Sequence, residues 1–107
     1  MKRPFQIPES FQLHGQVIKV IWDETLQAKN DARGEAHLRN NEIHLQSHTS
    51  SVPNPVTDIE QAFCHELVHW ILNQMNHKLN GNEPFVNLFA SLLHQALVTA
   101  EYGKGKK

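Results

Sequence analysis

The segment His65-Glu66-Leu67-Val68-His69 combines residues that bind a metal ion with one that can move a proton. In an α-helix, side chains four residues apart lie on one face, with Cβ atoms about 5–6 Å apart. Two imidazoles at that spacing can converge on one zinc ion at about 2.0–2.1 Å. Glu66 is rotated by about 100° around the helix from His65. Its carboxylate would therefore lie beside the ion, where it can accept a proton from an attacking water molecule.

The surroundings of this pattern favour a metal site over a chance match. Eight histidines and eight glutamates in 107 residues would produce the pattern in roughly 4% of shuffled sequences, so alone it is only a hypothesis. Here it falls in the middle of a predicted helix whose other residues are mostly apolar. Buried polar groups need partners, and a single metal ion would provide a partner for the two imidazoles and the carboxylate at once. The competing interpretation is an exposed polar seam on an amphipathic helix.

A catalytic zinc site has three protein ligands and an open fourth position, which water would occupy here. Glu83 is the best candidate for the third ligand, because it begins a second predicted helix after a loop short enough to reverse the chain. His94 is 11 residues further on, about 16 Å along a helix, so at most one of the two binds the ion. His77, two helical turns beyond His69, is another alternative, as is a site without a third protein ligand.

Other polar residues carry weaker indications. Asn87 could orient a metal-binding side chain without itself touching the ion, or it could lie on the helix surface. His37 and His44 are expected to face solvent from a hairpin. Cys64 is expected to act as a small buried hydrophobe rather than as a ligand or nucleophile. Tyr102 could stabilise an oxyanion, although its position near the C-terminus favours a packing role.

The first half of the chain predicts a sheet. A strand is expected over residues 13–22, where β-branched residues are concentrated. Alternating segments at 35–39 and 42–46 flank Asn40-Asn41, which favours a hairpin because asparagine tolerates the positive φ of a tight turn. A three-stranded meander is the simplest assembly of these segments.

The second half predicts two helices. Thr57 and Glu60 have the spacing of a capping box, and apolar residues follow at helical spacing to Met75. Asn82 can cap a second helix, with Pro84 in its first turn, that reaches about residue 100. The fold class is therefore α+β, with a small sheet followed by two antiparallel helices. Predicted core residues are Ile18, Val20, Leu38, Ile43, Leu45, Phe63, Leu67, Trp70, Ile71, Phe89 and Leu93, and Gly103 is expected to end the second helix.

Composition and charge restrict the class of protein. A chain of 107 residues with 39% hydrophobic and 20% charged residues suits one globular domain spanning 1–107, with an extended lead-in (1–10) and a flexible tail (103–107). No apolar run has the length of a membrane span, and no signal peptide is visible. A net charge of −1 argues against a nucleic-acid partner. The single cysteine, Cys64, favours a reducing compartment, the cytoplasm.

The segments HELVHWIL and EPFVNLFASLLHQAL, together with FQLHGQVIKVIWDETL and EIHLQ, resemble the small gluzincin-type zinc metallopeptidases of bacteria and phages, which are related to the ImmA/IrrE group. The resemblance covers about residues 11–102. It implies a minimal zincin-like fold in which His65, His69 and Glu83 bind Zn²⁺ and Glu66 is the general base.

The function expected from the motif and the resemblance is hydrolysis of peptide bonds by a zinc-activated water. The partner would be a peptide or protein that adds as a strand to an edge of the sheet, with the arm Glu42–Gln46 as the expected edge. Two other classes stay open: a zinc-binding regulatory or interaction module with little or no peptidase activity, and a metal-free interaction domain.

Overall fold

The computed structural model describes residues 5–30 and 32–103. Residues 1–4 of the predicted lead-in and residues 104–107 of the predicted tail lie outside these ranges. The described strands are β1 (Ser10–Leu13), β2 (Gln16–Trp22), β3 (Gly34–His37), β4 (Glu42–Leu45), β5 (His48–Thr49) and β6 (Val52–Pro53). The first four form one sheet in the order β1-β2-β4-β3, and β5 pairs with β6 in a small ribbon.

The main sheet is mixed and has four strands, so the predicted three-stranded meander is wrong. Strand β2 runs parallel to β4, with Val20 opposite Ile43, whereas β1–β2 and β3–β4 are antiparallel. After β2 the chain passes through a short helix, α1 (Leu26–Asn30), to the far edge of the sheet, and β4 returns into the middle. This order pairs the two strands richest in buried aliphatic residues at the centre.

The position of β4 also overturns the expected free edge at Glu42–Gln46. Strand β4 is bonded on both sides, by β2 and β3, and the edges of the main sheet are β1 and β3. The strand predicted over residues 13–22 is likewise interrupted. His14 and Gly15 have φ values of 51° and 77°, the left-handed conformation that a two-residue hairpin turn requires. Strand β1 precedes this turn and pairs antiparallel with β2, which follows it.

Two long helices follow the sheet, as predicted. They are α2 (Val56–Gln74) and α3 (Glu83–Thr99), joined through a 3₁₀ helix at Lys78–Gly81. The Asn82 side chain accepts a hydrogen bond from the Phe85 amide, which confirms the predicted cap of α3. The helix ends before Ala100 in extended backbone, so Gly103 does not terminate it.

The capping box predicted at the start of α2 is wrong. The helix begins two residues earlier, with Pro55 rather than Thr57 before its first residue, and it has no side-chain cap. Glu60 does not reach back to the helix start; its side chain is buried and accepts a hydrogen bond from His94 on α3. This contact, and the approach of Glu83 to His69, confirm that α2 and α3 pack antiparallel.

The core lies between the main sheet and α2. Most predicted core residues belong to it, including Trp70, whose side chain is 1% exposed and donates to the Glu42 carbonyl. Leu38 and Phe89 do not: they are 39% and 45% exposed. Leu38 falls in the turn after β3, and Phe89 is on the outer side of α3. The residues confirmed as buried are Ile18, Val20, Ile43, Leu45, Phe63 and Trp70, while Leu67, Ile71 and Leu93 are partly buried.

Candidate metal centre

The fold brings His65, His69 and Glu83 together at one end of the α2–α3 pair. The two histidines project from α2 one turn apart, and their ring centroids are 4.8 Å apart. Glu83, the first residue of α3, places Oε1 3.2 Å from His65 Nε2 and Oε2 3.2 Å from His69 Nε2. One ligand atom from each residue lies within 4.8 Å of the others, so this group could hold a metal ion.

The donor set and its spacing suit zinc. Ligands about 2.0–2.1 Å from a tetrahedral zinc ion are themselves separated by about 3.3–3.5 Å, and the two oxygen-to-nitrogen separations are close to that. Two imidazoles and one carboxylate are also the ligand types of an open catalytic site. The glutamate side chain is 57% exposed, so the group opens to solvent on that side.

Asn80 orients one of the imidazoles and was missed by sequence reasoning. Its Oδ1 lies 2.8 Å from His69 Nδ1, which must donate the hydrogen bond. The opposite nitrogen, Nε2, then carries the free lone pair that a metal needs. Asn80 belongs to the 3₁₀ helix between α2 and α3, and no spacing rule relates a residue there to His69; its type, an amide in the connecting loop, was the only signal.

The surroundings of His65 favour its neutral, metal-binding form. Burial is the main cause that lowers the pKa of this imidazole, with the nearby Glu83 carboxylate opposing it. Because a metal binds the neutral ring, a lowered pKa reduces competition from protons. The Asn87 side chain also acts on His65, in the direction that raises the pKa of its imidazole.

Glu66 lies beside the ligands and is not one of them. It is 8% exposed, and burial raises its pKa to about 7, with smaller contributions from the Glu83 and Glu35 carboxylates in the same direction. A hydrogen bond from the backbone of Ala36 and the charge of His69 act against this rise. A carboxyl group with a pKa near neutrality can both accept and return a proton.

Strand β3 packs closely against Glu66. A Cβ atom built on Gly34 would lie 3.3 Å from Glu66 Cγ and 3.2 Å from Leu45 Cδ2. The absence of a side chain at Gly34 therefore lets the edge strand approach α2 at the level of the candidate base.

Two cavities meet at His65 and Glu66. The larger, about 710 Å³, is a cleft between β3 with its following turn and the residues His69, Asn80 and Glu83. The smaller, about 470 Å³, lies on the other side, towards α3. Groups on both sides of the candidate metal position can therefore be accommodated. Besides His65 and Glu66, the polar residues of the smaller cavity are Arg33, Asp58, Gln61, Asn87 and Ser91.

The alternative ligands do not reach the site. His94 is buried against Glu60. His77 caps the 3₁₀ helix, where its Nδ1 accepts from the Leu79 amide. Cys64 is buried, as expected, and burial raises the pKa of its thiol to about 11, which argues against a nucleophilic or ligating role. Tyr102 is largely exposed.

The expectation that His37 and His44 simply face solvent is wrong. Their rings stack with centroids 3.8 Å apart. Each Nε2 lies 2.8 Å from a carboxylate on its own strand, Glu35 for His37 and Glu42 for His44. Because β3 and β4 are antiparallel, residues two apart on each strand meet on the same face.

Comparison with protein-family models, with curated proteins and with solved structures found no match for this chain. Among helices of the described ranges, none has the length and apolar character needed to cross a membrane. Any inference about function therefore depends on the geometry of the candidate metal centre.

Proposed function

We propose that the protein is a zinc-dependent peptidase of the gluzincin type that acts in the cytoplasm. The observation that carries this proposal is the position of Glu66. It is a buried carboxyl group with a raised pKa, adjacent in sequence to a metal ligand and facing the same cleft without joining the ligand set. A purely structural zinc site is closed by its ligands and has no use for such a group.

His65, His69 and Glu83 would hold the zinc ion. When bound, zinc supplies Lewis acidity, which lowers the pKa of a water molecule and polarises a carbonyl group. Glu66 takes the proton from the attacking water and delivers it to the departing amine. Asn80 would keep the His69 imidazole turned so that its Nε2 is available to the ion.

Strand β3 is the element that would bind the substrate backbone. It is an edge of the main sheet and forms a wall of the larger cleft. An extended peptide can add to such an edge through main-chain hydrogen bonds. The two cavities on either side of His65 and Glu66 would then receive side chains flanking the scissile bond.

The test combines metal analysis with one substitution at the base. Purified protein should bind about one zinc ion, and it should cleave members of an unbiased peptide library in a chelator-sensitive manner. E66Q should keep the zinc, because it removes no ligand, and should lose activity by several orders of magnitude. E101Q, a change at an exposed glutamate near the C-terminus, should behave as wild type. Cleavage by E66Q at the wild-type rate would exclude the mechanism.

One observation favours a second candidate, a zinc-containing interaction module. Three large apolar residues on the outer side of α3 are exposed, namely Leu88, Phe89 and Leu92, and exposed apolar patches often mark protein contacts. A protein that binds zinc stoichiometrically and cleaves nothing in the library would support this candidate over the peptidase.

A further inference from the structure

Glu60 and His94 form a polar contact within the interface between α2 and α3. Glu60 Oε1 accepts a hydrogen bond from His94 Nε2 at 2.8 Å, and the two side chains are only 4% and 7% exposed. The ring of Phe5 packs edge-on against His94. Buried polar pairs of this kind contribute little net stability compared with apolar residues of similar size, but they demand one geometry.

Apart from His94, the residues of α3 that pack on the core are apolar. Val86 and Ala90 are buried and lie on the same stripe as His94 at intervals of four, and Phe85, Leu93 and Leu97 are partly buried beside them. Apolar contacts have no direction, so they restrict the position of α3 along α2 less sharply than a hydrogen bond does. The hydrogen bond between Glu60 and His94 adds a sharper restriction, because its length and angle limit where the donor and the acceptor can lie.

The position of Glu83 depends on this register, because Glu83 is the first residue of α3. Its side chain is more than half exposed, yet its two oxygens each lie 3.2 Å from a different imidazole. Displacement by one residue along a helix moves a side chain by about 1.5 Å, which would remove Glu83 from bonding distance of a shared ion.

We propose that the Glu60–His94 pair fixes the axial register of α3 on α2 and thereby positions Glu83 as the third metal ligand. The two residues are positioning residues, since they touch neither the candidate ion nor the cleft. This inference rests on the proposed function for the identity of the metal, but the register itself is a property of the metal-free protein.

The test separates register from stability with three variants. E60L/H94L replaces the pair with apolar residues; it should remain folded and should bind zinc at least tenfold more weakly. E60Q keeps an acceptor for His94, so its affinity should stay within threefold of wild type. L97A removes apolar packing one turn beyond His94 on the same helix; it should lower the unfolding temperature and leave zinc affinity within threefold. E60M/H94M takes the place of the leucine pair if that variant does not fold.

A metal-free readout distinguishes failure of this inference from failure of the proposed function. Nuclear Overhauser contacts from Glu83 to the His65 and His69 rings, measured in chelator, should be present in wild type, E60Q and L97A and lost in the apolar pair variant. If E60L/H94L kept these contacts and its zinc affinity, the inference about register would be wrong, and the proposed metal site would be unaffected. A wild type that binds no zinc would overturn the proposed function, while the contacts would still decide the register.

Discussion

Burial gives the Glu66 carboxyl group a pKa of about 7, and this has a consequence for stability. The unfolded value is near 4.5, so between the two values the folded state holds a proton that the unfolded state has released. The free energy of unfolding of the metal-free protein therefore falls, through Glu66, as pH rises from about 4.5 to about 7. At about 1.4 kcal/mol per pKa unit, the loss is about 3 kcal/mol.

Denaturant unfolding in chelator from pH 4.5 to 8 should reveal this loss as the difference between wild type and E66Q. The comparison with E66Q is needed because His65 acts in the opposite direction: its pKa is lowered, so its contribution to stability increases as pH rises through about 6.5. A pH-independent difference between the two proteins would contradict the burial of a titrating Glu66.

Asn80 is the second residue whose role can be measured directly. N80A removes the acceptor that holds His69 Nδ1, so the ring is free to rotate and zinc affinity should fall by about 10–100-fold. N73A, at an exposed position on α2, is the matched control and should leave zinc affinity unchanged. Competition with a chromophoric chelator would measure both, and equal affinities would show that Asn80 does not orient the ligand.

Among the elements, β3 is the one whose position the site depends on most closely. In G34A, the new methyl group would contact Glu66 and Leu45 at 3.3 Å and 3.2 Å, so β3 should move away from α2 at a cost of about 1–3 kcal/mol. Activity should fall with it, because Glu66 and the edge strand separate. G81A is the control, since nothing lies within 4 Å of its added Cβ. Unfolding curves and initial rates for both variants would decide; equal behaviour would argue against close packing at Gly34.

The two long helices, which follow from local spacing, were predicted correctly, whereas the order and pairing of the strands, which depend on long-range contacts, were not. The two long helices and the Asn82 cap come from patterns a few residues long. The parallel pairing of β2 with β4 depends on where the chain returns after α1, which no local pattern encodes. For the same reason the spacing of His65 and His69 indicated their shared face, while Asn80 emerged only when the 3₁₀ helix was placed.

Across the whole molecule, the burial of a phenylalanine determines how much free energy of unfolding is lost when it is replaced by alanine. Phe63 is 3% exposed and contacts Phe5 and Phe11, so F63A should lower the free energy of unfolding by about 3–5 kcal/mol. Phe89, predicted from sequence to be equally buried, is half exposed, and F89A should have a much smaller effect. Denaturant titration of both variants would test this, and similar losses would mean that the outer side of α3 is covered in solution.

The segment that joins α2 to α3 contains Asn80 and leads directly into Glu83, so a bound ion would link this connection to the middle of α2. Removing the ion would remove this restraint and leave residues 75–82 easier for proteases to cut, since local opening determines cleavage of a folded chain. The supply of that metal would then influence the lifetime of the protein, and molecules made during metal shortage would be degraded first.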